Sequence, residues 1–355
     1  MFLALNEIKH AKLRYGLILG LLFLIAYLMF FLTGLAFGLM QDNRSAVDKW
    51  QANTIFLNKE SNDLLSASNI PADTADKVKA DDIAPLSQTA SSAWTKENPK
   101  DDDKEKVSLF GIERSSFLAP NITEGRLFKN DKEVVVDQSL AQDEEFKIGQ
   151  TLHVASSDHT LKIVGYTDNA MFSVAPVLYM NQKAFNQVKF GKDSSDGPIN
   201  ALVVKGDVSQ YPKDLKKLAI ADFIKKLPGY NAQNLTFGFM IGFLIIIASV
   251  VIGIFMYVLT IQKAPVFGVM KVQGISNGYI GRAVMSQTVL LSIIGTVLGL
   301  LGTWLSSLIL PAAVPFQSNW LLYGAIGLAL VLFALLGTLF SVRSVSKIDP
   351  LVAIS

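Results

Sequence analysis

The chain of 355 residues contains no cysteine and only three histidines. Without cysteine there are no disulfides, no thiolate metal sites, no redox pairs and no covalent c-type haem attachment. The histidines, His10, His153 and His159, are not at metal-ligand spacing, and no H-E-x-x-H is present. The G-x-x-x-x-G-K-[ST] phosphate cradle is missing, so the chain does not itself hold a nucleotide. The G-x-S-x-G turn of serine hydrolases is missing as well. There is no basic run, and 32 Lys plus Arg balance 30 Asp plus Glu, which argues against a nucleic-acid partner. Charged residues make up 17% of the chain, against about 25% in average globular proteins. Their distribution is more telling than their number. Residues 15–41, 227–262 and 283–342 carry no charge at all. Half of the chain is hydrophobic and the mean hydropathy is +0.37, so a single soluble globular domain is excluded.

What is present instead is membrane-spanning sequence. An apolar helix of about 20 residues crosses a hydrocarbon core of about 30 Å. The first uncharged run fits one span, 15–40. The second opens on Pro228, Gly229 and the polar stretch Asn231–Asn234, so its spanning part is 235–260. The third is long enough for two spans, 284–310 and 319–342, separated by Pro311, Pro315 and Gln317-Ser318-Asn319. The expected fold is therefore a membrane α-helical protein with four transmembrane helices. Span one reads as an uncleaved signal anchor.

Orientation follows from Lys and Arg near the spans. Lys9, Lys12 and Arg14 precede span one, Lys263, Lys271 and Arg282 lie between spans two and three, and Arg343 and Lys347 follow span four. Both termini, the 261–282 loop and the 343–355 tail are expected in the cytoplasm, and residues 41–232 outside, in the cell membrane as a multi-pass protein. Residues 42–226 carry 24 Lys plus Arg against 28 Asp plus Glu, an ordinary polar composition. This external part reads as an α+β domain inserted between helices 1 and 2. Strands are expected at Val134–Val136, Thr151–Val154, Leu161–Tyr166, Val177–Met180 and Ala201–Val204, and helices at Gln138–Asp143, Gln182–Lys189 and Tyr211–Lys226. The stretch 41–105 reads as helical or loosely ordered.

No Asp, Glu, Lys, Arg or His lies within a span, which argues against a carrier whose coupling ion binds at the midplane. If the protein moves a substrate, the energy comes from elsewhere. Two cytoplasmic pieces are suggestive. Residues 1–14 form an amphipathic segment suited to the membrane surface. In the 261–282 loop, Pro265 marks a break, Val266, Phe267, Val269, Met270 and Val272 give an apolar helix face, and Gly274 ends it. Ser276 is placed to cap the next helix.

The order of span, large external domain and three spans, the loop Phe267-Gly268-Val269-Met270-Lys271-Val272-Gln273-Gly274 and the ending Lys347-Ile348-Asp349-Pro350-Leu351-Val352-Ala353-Ile354 together resemble the type VII ABC transporter permeases. These include the macrolide-exporter and cell-division permeases. Residues 255–263 are most similar to the haem-export branch. Two departures stand out: Ala264-Pro265 replaces the family's charged pair, and Val352 replaces its tail glutamate. The resemblance implies a transport protein rather than an enzyme, with no cofactor of its own. It implies a homodimeric permease in membrane lipid, with two copies of a separate ABC ATPase subunit that carry ATP and Mg2+. Pro265, Val266, Phe267, Gly268, Val269, Met270, Lys271 and Gly274 are then the coupling helix seated on the ATPase. Mechanotransmission joins ATPase motion to the spans and the external domain, and substrate leaves from the outer leaflet.

Haem as substrate requires an apolar slot and an axial ligand. Tyr230, at the outer entry of span two, is the first candidate, with Phe237, Phe31 and Phe37 near the outer ends of their spans. Tyr166 is the second. An interfacial anchoring role competes for Tyr230. G-x-x-x-G pairs at Gly16/Gly20, Gly34/Gly38, Gly238/Gly242 and Gly295/Gly299 permit close helix contacts, and spans one and two are the expected dimer interface. Two other functions stay open: export or sensing of antimicrobial peptides or lipids, and mechanical drive of an external partner.

Overall fold

In the computed structural model of the chain, residues 12–141, 146–311 and 314–346 are described. Most of the amphipathic segment 1–14 and the tail motif Lys347–Ile354 lie outside the described residues. The chain divides into two compact units, Met1–Gly38 with Thr236–Ser355, and Leu39–Leu235.

Helix α1 covers Lys12–Asp42. The inserted unit follows with helix α2 (Ser45–Lys49) and strands β1 (Thr54–Asn58), β2 (Lys79–Trp94), β3 (Glu105–Ile112), β4 (Glu124–Gly125), β5 (Glu133–Asp137), β6 (Thr151–Val154), β7 (Leu161–Thr167), β8 (Met171–Phe172) and β9 (Ala175–Asn181). Helix α3 (Gln182–Phe190), strands β10 (Ala201–Gln210) and β11 (Leu215–Ala219) and helix α4 (Ile220–Lys226) complete it. Helices α5 (Tyr230–Gln262), α6 (Ala264–Val272), α7 (Asn277–Ser307) and α8 (Trp320–Ser346) end the described chain. Helices α1, α5, α7 and α8 are long and apolar enough to cross a membrane. In hydrocarbon every backbone N–H and C=O must be bonded internally, which a continuous helix achieves.

The inserted unit is built on one mixed sheet ordered β11-β1-β10-β2-β3-β9-β5-β7-β4, with β6 pairing β2 and β7. Most neighbours are antiparallel, while β3–β9 and β5–β7 are parallel. Side chains alternate between its faces, as a period of two requires. On β3, Phe110 and Ile112 join one apolar cluster while Val107 and Leu109 join another on the opposite face. On β9, Val177 and Tyr179 follow the first pair, and Leu178 and Met180 the second. The first cluster is covered by Trp50, Phe223, Leu227 and Tyr230, from the chain segments adjoining α1 and α5. Helix α3 covers the second through Ala184, Phe185 and Val188.

Two expectations need correction. The stretch 41–105 is not largely helical: after the short helix α2 it supplies β1 and the 16-residue β2. Strand β2 has few β-branched residues, so its conformation is imposed by its neighbours, β10 on one side and β3 on the other. The helix expected over 211–226 begins only at Ile220. Its first half is β11, held by β1 through the Ile55–Leu218 and Leu57–Lys216 positions.

One buried carboxylate, on β5, braces the connection from β4 to β5. Glu133 accepts from Arg126 Nη1 at 2.7 Å and Nη2 at 2.6 Å, from Lys129 N at 2.7 Å and from Asn130 Nδ2 at 3.2 Å. The Arg126 guanidinium holds its pKa down from 4.5 to about 2. A depressed carboxylate pKa contributes stability above the unfolded pKa and loses it as pH falls through the folded one. Glu133→Gln should therefore lower the melting temperature of the purified full chain at neutral pH. The deficit should shrink as pH drops from 4.5 toward 2; a deficit constant across that window would refute the assignment.

Candidate functional site

Helix α6 sits between α5 and α7 and is shaped by its ends. Pro265 lies in its first turn, where a missing N–H costs nothing. At the other end Gly274 adopts φ +85°, and Ile275 N–H reaches back to Met270 O at 3.0 Å. That six-residue closure needs a left-handed residue, so glycine is the fitting choice. Ser276 then caps α7 by accepting from Tyr279 N–H. The five apolar residues expected on one face are divided between two. Phe267 is buried against Ile280 and Val284, with Met270 and Ile275 packed beside it. Val266, Val269 and Val272 are 53%, 48% and 63% exposed and, with Pro265, form an outward apolar stripe. A nine-residue helix with apolar residues at nearly every position has two apolar sides, and one of them must anchor it. Gly268 is buried, and Lys271 is partly exposed.

Lys263, immediately before α6, fixes the root of the loop. Its ammonium donates to Gln287 Oε1 of α7 at 2.7 Å and lies 5.5 Å from the centre of the Tyr15 ring of α1. In sequence Lys263 marks only the orientation, because the partners that define this role are 24 and 248 positions away. Deeper in the bundle Thr288 and Thr338 join α7 to α8 at 2.9 Å.

The glycine pairs fall into two groups. A Cβ on Gly295 or Gly299 would come within 2.6 Å of the Leu22 or Ala26 Cβ, so this pair seats α7 on α1. Gly34 and Gly38 are covered by Phe316 and Pro315. Added Cβ atoms at Gly16, Gly20, Gly238 and Gly242 meet nothing within 4 Å. Helix α5 also exposes Phe239, Phe243, Ile246 and Ile254.

The two candidate tyrosines fall in different apolar clusters of the inserted unit, and the three candidate phenylalanines belong to the helical unit. Tyr230 is buried in the first cluster and accepts from Arg44 Nη1 at 3.3 Å. Tyr166 belongs to the second cluster, donates to Phe146 O at 2.8 Å and accepts from Ile148 N–H at 3.1 Å. Burial pushes its phenol pKa up. Phe31 packs between Tyr27 and Phe316, while Phe37 and Phe237 are half-buried. Phe30, in the same stretch of α1, turns inward against Tyr323. Of the two remaining histidines outside, His153 stacks on Trp94 and His159 Nε2 lies 2.8 Å from Asp131 O.

Arg44 was not singled out by sequence. It forms a forked pair with Asp48 and reaches Tyr230, 186 positions on. Asn43 Nδ2 donates to Gln233 Oε1 at 2.7 Å beside it. The one available signal was a basic residue just past the end of a span on the side where Lys and Arg are disfavoured.

Four spanning helices, a large domain inserted after the first, and a short amphipathic helix in the loop after the second define a multi-pass membrane permease with an extracellular domain. Residues 15–213 match the MacB-like periplasmic core domain, and residues 238–350 match the FtsX-like permease C-terminal domain. The chain belongs to this MacB- and FtsX-like family of ABC transporter permeases. It is 27% identical over 361 residues to a protein of Staphylococcus haemolyticus named "Putative hemin transport system permease protein HrtB", covering 100% of this chain and 99% of that one. A protein of the same name from Staphylococcus epidermidis is 26% identical over 357 residues, with the same coverage. Among solved structures, the periplasmic region of MacB from Actinobacillus actinomycetemcomitans is similar at 15% identity and a TM-score of 0.35, covering 49% of this chain and 91% of that one.

The division of α6 into two sides is testable by stability alone. Phe267→Ala should cost about 3 kcal/mol and visibly lower the melting temperature of the purified chain. Val269→Ala, on the exposed stripe, should change it by less than about 0.5 kcal/mol. Equal losses would mean that α6 has no anchored side.

Proposed function

We propose that this chain is the permease subunit of an ATP-driven efflux pump that extrudes haem, or a similar amphipathic molecule, from the outer leaflet of the cell membrane. The observation that carries the reading is the end-to-end similarity to a relative named for hemin transport, 100% of this chain against 99% of that one. The uncharged spans support it, since an apolar substrate at the membrane edge needs no buried ion site.

ATP and Mg2+ belong to a separate ATPase subunit, present in two copies on a permease homodimer. The exposed stripe of Pro265, Val266, Val269 and Val272 is the surface that the ATPase covers. Phe267 and Lys263 transmit its motion into α7 and α1. The termini and the α6 loop lie in the cytoplasm, in keeping with Lys263, Lys271 and Arg282. The open glycine faces of α1 and α5 suit close packing against a second copy. The extracytoplasmic part is residues 41–232.

Tyr230 is the first haem ligand. The Arg44 guanidinium beside its oxygen supplies the counter-charge that an iron-bound phenolate needs. Tyr166 serves second, because it must first give up its bond to Phe146. Within the helical unit, Phe237, Phe31 and Phe37 offer ring faces to a porphyrin in the membrane.

Two measurements test this. Purified protein given haem should show an absorption band that Tyr230→Ala weakens; the same spectrum from both proteins would remove Tyr230 from the site. Val269→Asp should abolish co-purification of the ATPase while leaving the melting temperature unchanged. Retention of the ATPase by that variant would place the docking surface elsewhere.

A further inference from the structure

A groove of the helical unit lies between the start of α1 and the end of α5, with a volume of about 530 Å3. Leu17, Ile18, Phe255 and Val258 form apolar walls, and Lys12 and Arg14 are the cations that line it. Lys12 is exposed and Arg14 partly buried. Lys12 and Arg14 open α1, so they sit at one end of the groove, about a turn before Leu17 and Ile18. Arg14 Nη2 donates to Leu259 O at 3.3 Å, one of the four last carbonyls of α5 that the helix leaves unbonded. Arg14 Nε is buried and has no hydrogen-bond partner. A guanidinium carries five donors and no acceptor, and at the edge of a bilayer each unmet donor is costly.

We propose that this groove is a binding site for an anionic phospholipid. Its phosphate sits between the part-buried Arg14 guanidinium and the Lys12 ammonium, and an acyl chain lies along Leu17, Ile18, Phe255 and Val258. Charge decides between this occupant and the same groove of a second copy, whose packing against α1 and α5 is assigned to their glycine faces. A two-fold contact brings the same patch of each partner together, so a groove-to-groove interface would set Lys12 and Arg14 against their own equivalents. A zwitterionic lipid would add its own cation to the two already present. The site does not depend on what the protein transports.

The test uses the full chain with Leu17→Trp in vesicles that contain brominated phosphatidylglycerol or brominated phosphatidylcholine. Trp304 and Trp320 also quench, so the signal is the difference from the parent protein. Half-quenching of the new tryptophan should need several-fold less brominated phosphatidylglycerol than brominated phosphatidylcholine. That preference should fall about five-fold for each basic side chain removed, in Lys12→Gln and then in Lys12→Gln with Arg14→Gln. If the double variant does not fold, Lys12→Gln alone decides, since Lys12 is exposed. Equal quenching by the two lipids would overturn the proposal. So would no quenching by either lipid with disulfide formation between copies of Leu17→Cys, which has no other thiol to compete.

Discussion

The two ends of the inserted unit are held together by hydrogen bonds from Asn43 to Gln233 and from Arg44 to Tyr230. Without closure at this point, a domain of about 185 residues would be a loop between two helices. Bringing the ends of so long a chain together costs about 4–5 kcal/mol in entropy if the chain is flexible. Two such bonds return about 2–3 kcal/mol. The balance comes from burial in the same place, where Trp50 lies 6.2 Å from Phe110 and 6.5 Å from Phe223, ring centre to ring centre. A fully buried large apolar side chain contributes about 1.5–3 kcal/mol, so this cluster outweighs the polar clamp. The polar pair fixes the geometry of the crossing, and the aromatic rings supply its strength.

The short helix α6 shows the same division of labour at the other end of α5. Phe267 and Lys263 hold it from within, one by burial and the other by a hydrogen bond and a ring contact. Its exposed valines contribute almost nothing to the fold, which leaves them free to serve as a contact surface. On the coupling role proposed for α6, this separation would let a partner press on the valines without disturbing the packing.

Much of this was legible in the amino-acid sequence because the bilayer acts on composition directly. The runs without charge locate the spanning helices, and Pro265, Gly274 and Ser276 mark the ends of α6 and the start of α7 through local backbone chemistry. The external strands over Val134–Val204 are visible through their β-branched residues. What escaped depends on distance along the chain. Strand β2, with Ala84, Pro85, Ser87 and Gln88, looks like a loop until β3 and β10 flank it. Phe267 and Val269 are both apolar, and only the position of Ile280 and Val284 separates the anchor from the exposed stripe. Tyr230 stands out locally and Arg44 does not, and no local pattern encodes their pairing. Tyr166 was readable as a tyrosine after a strand, but the committed state of its hydroxyl was not.

The pairing order of the sheet also sets a sequence in time. Strand β1 lies near the beginning of the insertion, yet its two neighbours, β10 and β11, are the last strands to be made. During synthesis and export β1 therefore waits with both edges unpaired until almost the whole insertion has crossed. Contacts this far apart in the chain make folding slow and leave strand edges open to wrong partners. The pause matters most for Ile55, Phe56 and Leu57, which are fully buried in the finished domain. Helix α1 keeps the emerging segment tethered at the membrane throughout, so the strand at greatest risk of aggregation is also the one least able to diffuse to another chain.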